Sequence, residues 1–154
     1  MTITTAPFGR LMTAMITPMT SGGDVDYDGA ARLATYLVDD MRNEGLVVNG
    51  TTGEAPTTTD AEKERLIKVV LEAVGDRAKV VAGVGTNITA HTVELARQAE
   101  RAGAHGLLVV TPYSTSPPRT RSSRTSPWSR TARNCRCSST TSPAGPAPRW
   151  RPRP

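Results

Sequence analysis

Two adjacent threonines held between glycines, Gly50-Thr51-Thr52-Gly53, with Glu54 directly after them, are the residues of this 154-residue chain best placed to do chemistry. Each hydroxyl both donates and accepts hydrogen bonds, and flanking glycines let the backbone approach a ligand closely. Hydroxyls and backbone amides together can grip a carboxylate. The same residues also fit a plainer reading, a Thr-rich turn with a solvated Glu54. Elsewhere the signals are thin. Gly83-Val84-Gly85-Thr86-Asn87 is glycine-rich, but it lacks both the third glycine of a dinucleotide loop and the lysine of a Walker loop. His91 and His105 are isolated, the first expected on a helix surface and the second in a turn. No His, Cys or carboxylate cluster has metal spacing, and no Ser-His-Asp arrangement is apparent.

The elements that must position the threonine pair are legible from hydrophobic periodicity. Leu11–Met19 is a short apolar run closed by Pro18 and the Gly22-Gly23 turn. Ala30, Leu33, Ala34, Leu37, Val38 and Met41 recur at the spacing of one helix face, with Gly45 ending the helix. Leu46-Val47-Val48 follows as a buried strand, and the polar loop Gly50–Thr58 leaves its C-terminal end. Thr59-Asp60-Ala61-Glu62 has the form of a capping box and opens a helix through Leu66, Ile67, Val70 and Val74 to Gly75. Lys79–Val84 is a third strand, and Thr89–Ala102 a helix with Val93, Ala96 and Ala99 inward. Leu107–Val110 is a fourth strand, ending at Thr111-Pro112-Tyr113. The order is β-α-β-α-β-α-β. Unbroken apolar strands of this kind suit a parallel sheet covered on both faces. Glu44-Gly45-Leu46-Val47-Val48 is echoed by His105-Gly106-Leu107-Leu108-Val109, a sign of internal repetition. Both a doubly wound open sheet and half of an eight-stranded α/β barrel fit, and in either one ligands bind at the C-terminal ends of the strands.

After Tyr113 the chain changes character. All fourteen Asp and Glu lie between Asp24 and Glu100, so residues 1–113, with ten Lys and Arg, carry a net charge of −4. Residues 114–154 hold nine Arg and no acid, no Lys, and no Leu, Ile, Val, Met, Phe or Tyr. The overall charge of +5 therefore belongs to the tail and says nothing of the body's partners. Both cysteines, Cys135 and Cys137, also lie in the tail, which leaves a cysteine-free body that fits a reducing compartment. Met1–Arg10 lacks the apolar run of a secretory signal, and no stretch nears the roughly 20 apolar residues of a membrane span. The expectation is a cytoplasmic body with no membrane association.

The strings Ile16-Thr17-Pro18, Gly50-Thr51-Thr52-Gly53-Glu54, Gly83-Val84-Gly85 and Val110-Thr111-Pro112-Tyr113, in this order over residues 8–113, resemble the dihydrodipicolinate synthase family. The wider superfamily includes N-acetylneuraminate lyase and related 2-keto acid aldolases. The resemblance implies the N-terminal half of a (β/α)8 TIM barrel over residues 1–113. It implies condensation of pyruvate with aspartate semialdehyde through a lysine Schiff base, to give 4-hydroxy-tetrahydrodipicolinate on the route to diaminopimelate and lysine. It implies no cofactor, and a homo-oligomer. Carried onto this sequence, Thr51 belongs to a proton relay and Thr52 binds the pyruvate carboxylate, with Gly50 and Gly53 beside them and Glu54 next in the motif. Tyr113 matches the first tyrosine of a Thr-Pro-Tyr-Tyr motif. The relay tyrosine is the second of that pair, and this chain has Ser114 there. The Schiff-base lysine would lie beyond residue 113, where the tail supplies none, so the chain as written is expected to be inactive.

The Ser/Arg/Pro-rich tail cannot bury a core and is expected to be disordered. As a basic arm it could bind nucleic acid through phosphate contacts, with Trp128 and Trp150 stacking on bases. Back-translation favours another origin. Read one base out of step, the codons from Ser114 permit Asn-Lys-Pro-Pro-Gln-Asp, and those from Ser129 permit ADGTELPVLLYDIPGRSGTPV, a segment with the family's character. Loss of one base from a second tyrosine codon turns Tyr-Tyr-Asn-Lys-Pro into the Tyr-Ser-Thr-Ser-Pro seen at residues 113–117.

Overall fold

The computed structural model describes residues 6–110 and the backbone of one strand at Arg136–Thr140. Its elements are β1 (Met12–Ala14), α1 (Tyr27–Thr35), β2 (Gly45–Val48), α2 (Asp60–Val74), β3 (Lys79–Gly83), α3 (Thr89–Ala102), β4 (Gly106–Val110) and β5 (Arg136–Thr140). One parallel sheet runs β1-β2-β3-β4-β5, with no reversal of order.

Strand alternation divides the sheet into two unlike faces. Met15, Leu46, Val48, Val80, Ala82, Leu107 and Val109 pack with Ala30, Ala34, Leu66, Ile67, Val70, Val74, Leu95 and Ala99 of the three helices in one cluster. All three helices thus cover the same face. A doubly wound sheet has helices on both faces and a reversal of strand order, so sequential strands with helices on one side select the half barrel. On the other face lie Ala14, Val47 and Val81, which are neighbours across the ladder, and then Ile16, Leu108 and Val110. Val81 is buried between its neighbours, whereas Ile16 is 56% exposed. This is the inner surface of the barrel arc.

Local chemistry explains the elements. Thr59 accepts from the Glu62 amide while the Glu62 carboxylate accepts from the Thr59 amide at 2.7 Å, so the expected capping box is present at the start of α2. The hydrogen bonds from Thr59 to its carboxylate hold Glu62 below the usual carboxylate range. Asp26 caps α1 through the Gly29 amide at 2.8 Å. Three details depart from the sequence reading. Helix α1 runs on into one wide π turn, Tyr36–Asp40, and the reversal falls at Arg42 (φ 57) rather than at Gly45, which opens β2. The inward face of α3 is Thr92, Leu95 and Ala99, with Val93 only half-buried, because the helix phase follows the large Leu95. The tail was expected to be without structure, yet Arg136–Thr140 lies parallel to β4 in register from Gly106 to Val110. An open strand edge offers a row of amides and carbonyls to any neighbouring backbone, whatever its side chains. The rest of the expected disordered tail, and Tyr113, lie outside the described residues.

Among the described residues no helix is long and apolar enough to cross a membrane. His105 lies in the turn between α3 and β4, directly before the strand, and its ring is engaged there: its Nδ1 accepts from the Val80 amide at 3.0 Å, and its own amide donates to the Val80 carbonyl at 2.8 Å.

Two outcomes are expected. Thr59→Ala removes the hydroxyl half of the capping box, leaving the Thr59 amide still bonded to the Glu62 carboxylate, and lowers unfolding stability by about 1 kcal/mol in urea titrations. Burial, with a smaller contribution from Lys79, holds His105 below its ordinary value of 6.5. Its neutral form is therefore favoured in the folded state. That stability is fully present above about pH 6.5 and is lost as pH falls below it, levelling off at the depressed folded value. Thermal midpoints measured from pH 7.5 to 5 should show this slope, and His105→Gln should flatten it.

Candidate active site at the C-terminal end of the second strand

The threonine loop is shaped by what precedes it. Asn49 leaves β2 with φ 55, a left-handed conformation that asparagine tolerates better than most residues. Its Nδ2 donates to the Lys63 carbonyl in α2 at 3.1 Å. Gly50 then accepts from the amides of Gly53 (3.0 Å) and Ala55 (3.3 Å), closing a tight turn that lifts Thr51 and Thr52 to the surface. Glu54 is also left-handed, with φ 54, and its side chain is exposed. A glutamate held there stores strain on the order of 1 kcal/mol, so surrounding contacts must fix it.

Those contacts come from the neighbouring strands. Thr17, buried just beyond β1, donates its hydroxyl to the Gly53 carbonyl at 2.7 Å. Gly53 is buried, and a Cβ there would lie 3.1 Å from both the Met15 carbonyl and Thr17 Oγ1. At the end of β3, Gly83 lies against the Asn49 carbonyl so closely that any side chain would collide with it. The loop is thus clamped from β1, from β3 and from α2. Its two hydroxyls bond to no other described residue and stand free to meet a ligand.

The sequence-derived set is brought together in part. Gly50, Thr51, Thr52, Gly53 and Glu54 form one turn, with the glycines folded inward and the threonines and Glu54 outward. The chain's three lysines do not join them. Lys79 opens β3 at the opposite end of the parallel sheet, Lys68 pairs with Glu64 at 2.7 Å on the surface of α2, and buried Lys63 donates to the Thr58 carbonyl.

Behind the loop lies a cavity of about 310 Å³, lined by Pro56, Asp60, Lys63, Thr86, Asn87 and His91 among others. Thr51 and Thr52 are not part of its wall. His91 Nε2 meets Asp60 Oδ2 at 2.8 Å, with Lys63 Nζ 3.7 Å from Asp60 Oδ1, so His91 ties α3 to α2 and is more than a surface residue. Among the described residues no group of His, Cys, Asp or Glu is placed to hold a metal. Sequence reasoning gave no role to Thr17, Asn49 or Lys63. The first lay inside a quoted motif, and the others act through a backbone conformation and a helix carbonyl that spacing does not show.

Thr17→Val keeps the shape at β1 but leaves the Gly53 carbonyl unpaired. It should cost about 1–2 kcal/mol and speed amide exchange at Gly53, Glu54 and Ala55 well beyond the change seen in β3.

Comparisons with known proteins agree with this geometry. A family model described as the Dihydrodipicolinate synthetase family matches residues 7–122. The 4-hydroxy-tetrahydrodipicolinate synthase of Acidothermus cellulolyticus is 73% identical over 113 residues, which is 73% of this chain and 36% of that protein. 4-hydroxy-tetrahydrodipicolinate synthase 2 of Streptomyces coelicolor is 67% identical over 112 residues, covering 37% of its length. Among solved structures, a dihydrodipicolinate synthase of Bacillus anthracis superposes with a TM-score of 0.81 at 32% identity, over 86% of this chain and 45% of that one. The N-acetylneuraminate lyase of Mycoplasma synoviae also reaches 0.81, at 25% identity, over 89% of this chain and 47% of that one. The chain spans little more than a third of the length of the curated relatives it matches. With sequential parallel strands, helices on one face and a Gly-Thr-Thr-Gly turn at the end of β2, it belongs to the dihydrodipicolinate synthetase family.

Proposed function

We propose that residues 6–110 are the carboxylate-binding half of a synthase that joins pyruvate to aspartate semialdehyde and yields 4-hydroxy-tetrahydrodipicolinate. The observation that carries this reading is the clamped turn at the end of β2, whose two threonine hydroxyls are free while Gly53 and Gly83 beside them are tightly enclosed. Thr52 binds the pyruvate carboxylate and Thr51 passes a proton near the reacting carbon. The clamps from Thr17, Asn49 and Gly83 already order the backbone, and short hydroxyl side chains lose little freedom on binding, so the turn is organised before a ligand arrives.

The reaction of the family needs a lysine amine that condenses with the pyruvate ketone, releasing water and forming the imine. In this chain each lysine is held elsewhere, by position at the far end of β3 or by bonds to Glu64 and to the Thr58 carbonyl. The chain as written therefore forms no Schiff base and does not turn over. The likeness to N-acetylneuraminate lyase keeps a second reading, another 2-keto acid aldolase. It shares the pyruvate half of the chemistry and differs in the aldehyde partner.

Borohydride reduction in the presence of pyruvate should leave the intact mass unchanged, and pyruvate with aspartate semialdehyde should give no product above background. An adduct mapped to Lys63, Lys68 or Lys79 would overturn the inactive reading.

A further inference from the structure

We infer that residues 114–154 are translated from the continuation of this coding sequence read one base out of register, and that β5 marks where the in-register fifth strand belongs. The inference goes beyond the activity proposed above and does not depend on it.

The first observation is a mismatch between place and composition. Strand β5 lies parallel to β4, with Cys137 beside Leu107, Ser138 beside Leu108, Ser139 beside Val109 and Thr140 beside Val110. Interior parallel strands in such folds are near-continuous apolar runs, as Leu46-Val47-Val48, Val80-Val81-Ala82 and Leu107–Val110 are here. Arg-Cys-Ser-Ser-Thr carries the strand position without the strand composition.

The second observation removes the mismatch. Each shifted codon takes the third base of one residue and the first two of the next. Across Cys135 to Thr140 the genetic code permits codons ending in C, G, C, C and T, which read out of step as CCG, GTG, CTC, CTC and TAC, or Pro-Val-Leu-Leu-Tyr. Aligned with the residues that supply their last two bases, these fall on Arg136–Thr140, the five positions that structure pairs with β4. Val-Leu-Leu-Tyr then lies beside Leu107-Leu108-Val109-Val110, apolar strand against apolar strand.

The third observation is the abruptness of the change. Fourteen acidic residues are spread up to Glu100, and none follows Tyr113. The shifted reading permits Asp and Glu again, in Gln-Asp, Ala-Asp-Gly-Thr-Glu and Tyr-Asp-Ile. A tail selected for nucleic-acid contact would have no reason to hide an apolar strand in a second frame at the register position of β5.

The test is the DNA itself, read in the shifted frame from codon 114. The expected result is an open frame through and beyond codon 154, encoding Pro-Val-Leu-Leu-Tyr over codons 135–140. A stop codon within that span, or polar residues across 136–140, would overturn the inference. A second measurement separates this idea from the functional proposal. Inserting one A between the first and second bases of codon 114 turns TC back into TAC and restores the second tyrosine codon, and the resulting longer product is purified and assayed with pyruvate and aspartate semialdehyde. Folded product with turnover supports both readings. An open shifted frame whose folded product is inactive leaves the frame inference standing and sinks the proposed activity.

Discussion

Burial of one face of a parallel sheet beneath three helices is the interaction on which the rest of this structure depends. Leu46, Val48, Val80, Ala82 and Leu107 are shielded from water by the helices, and Leu66, Val70 and Val74 of α2 sit at the centre of the cluster. At roughly 25 cal/mol per Å² of apolar surface, that packing is what holds four short strands in order. It also fixes which ends of the strands lie together, and so decides that the loops after β1, β2 and β3 converge.

From that convergence follows the Gly50–Glu54 turn. Thr17, Asn49 and Gly83 belong to three successive strand ends, and each restrains the same few peptide groups through a different device: a hydroxyl, a left-handed backbone and the absence of a side chain. Strain at Glu54 is tolerable because the turn on either side of it is held in place. Free hydroxyls on a restrained backbone are what a site for a small carboxylate needs, since little ordering remains to be done on binding.

Much of this was legible in the sequence. Thr59 and Glu62 announce α2 because a capping box is local chemistry, and Thr89–Ala102 is legible in its limits but not in its phase, which turns on Leu95 rather than Val93. Gly45 misled. It resembled a helix stop, but the π turn at Tyr36–Asp40 and the left-handed Arg42 had already ended the helix. Periodicity could not choose between an open sheet and a half barrel, because the choice depends on which side the helices fall, a property of the crossovers rather than of any one segment. The threonine pair was visible as chemistry, whereas its clamps were not. Thr17 reaches Gly53 across thirty-six positions, a contact that no spacing rule predicts.

The uncovered inner face has a colloidal consequence. Ile16, Val47, Leu108 and Val110 form an apolar surface with no helix against it among the described residues. Attraction between such surfaces is driven by water and is largely entropic near room temperature, so it weakens on cooling. Where that face stays uncovered, a solution of these molecules is expected to be most dispersed when cold and to cloud on warming. Excluded salts such as sulfate bring the clouding to lower temperature, while urea raises it.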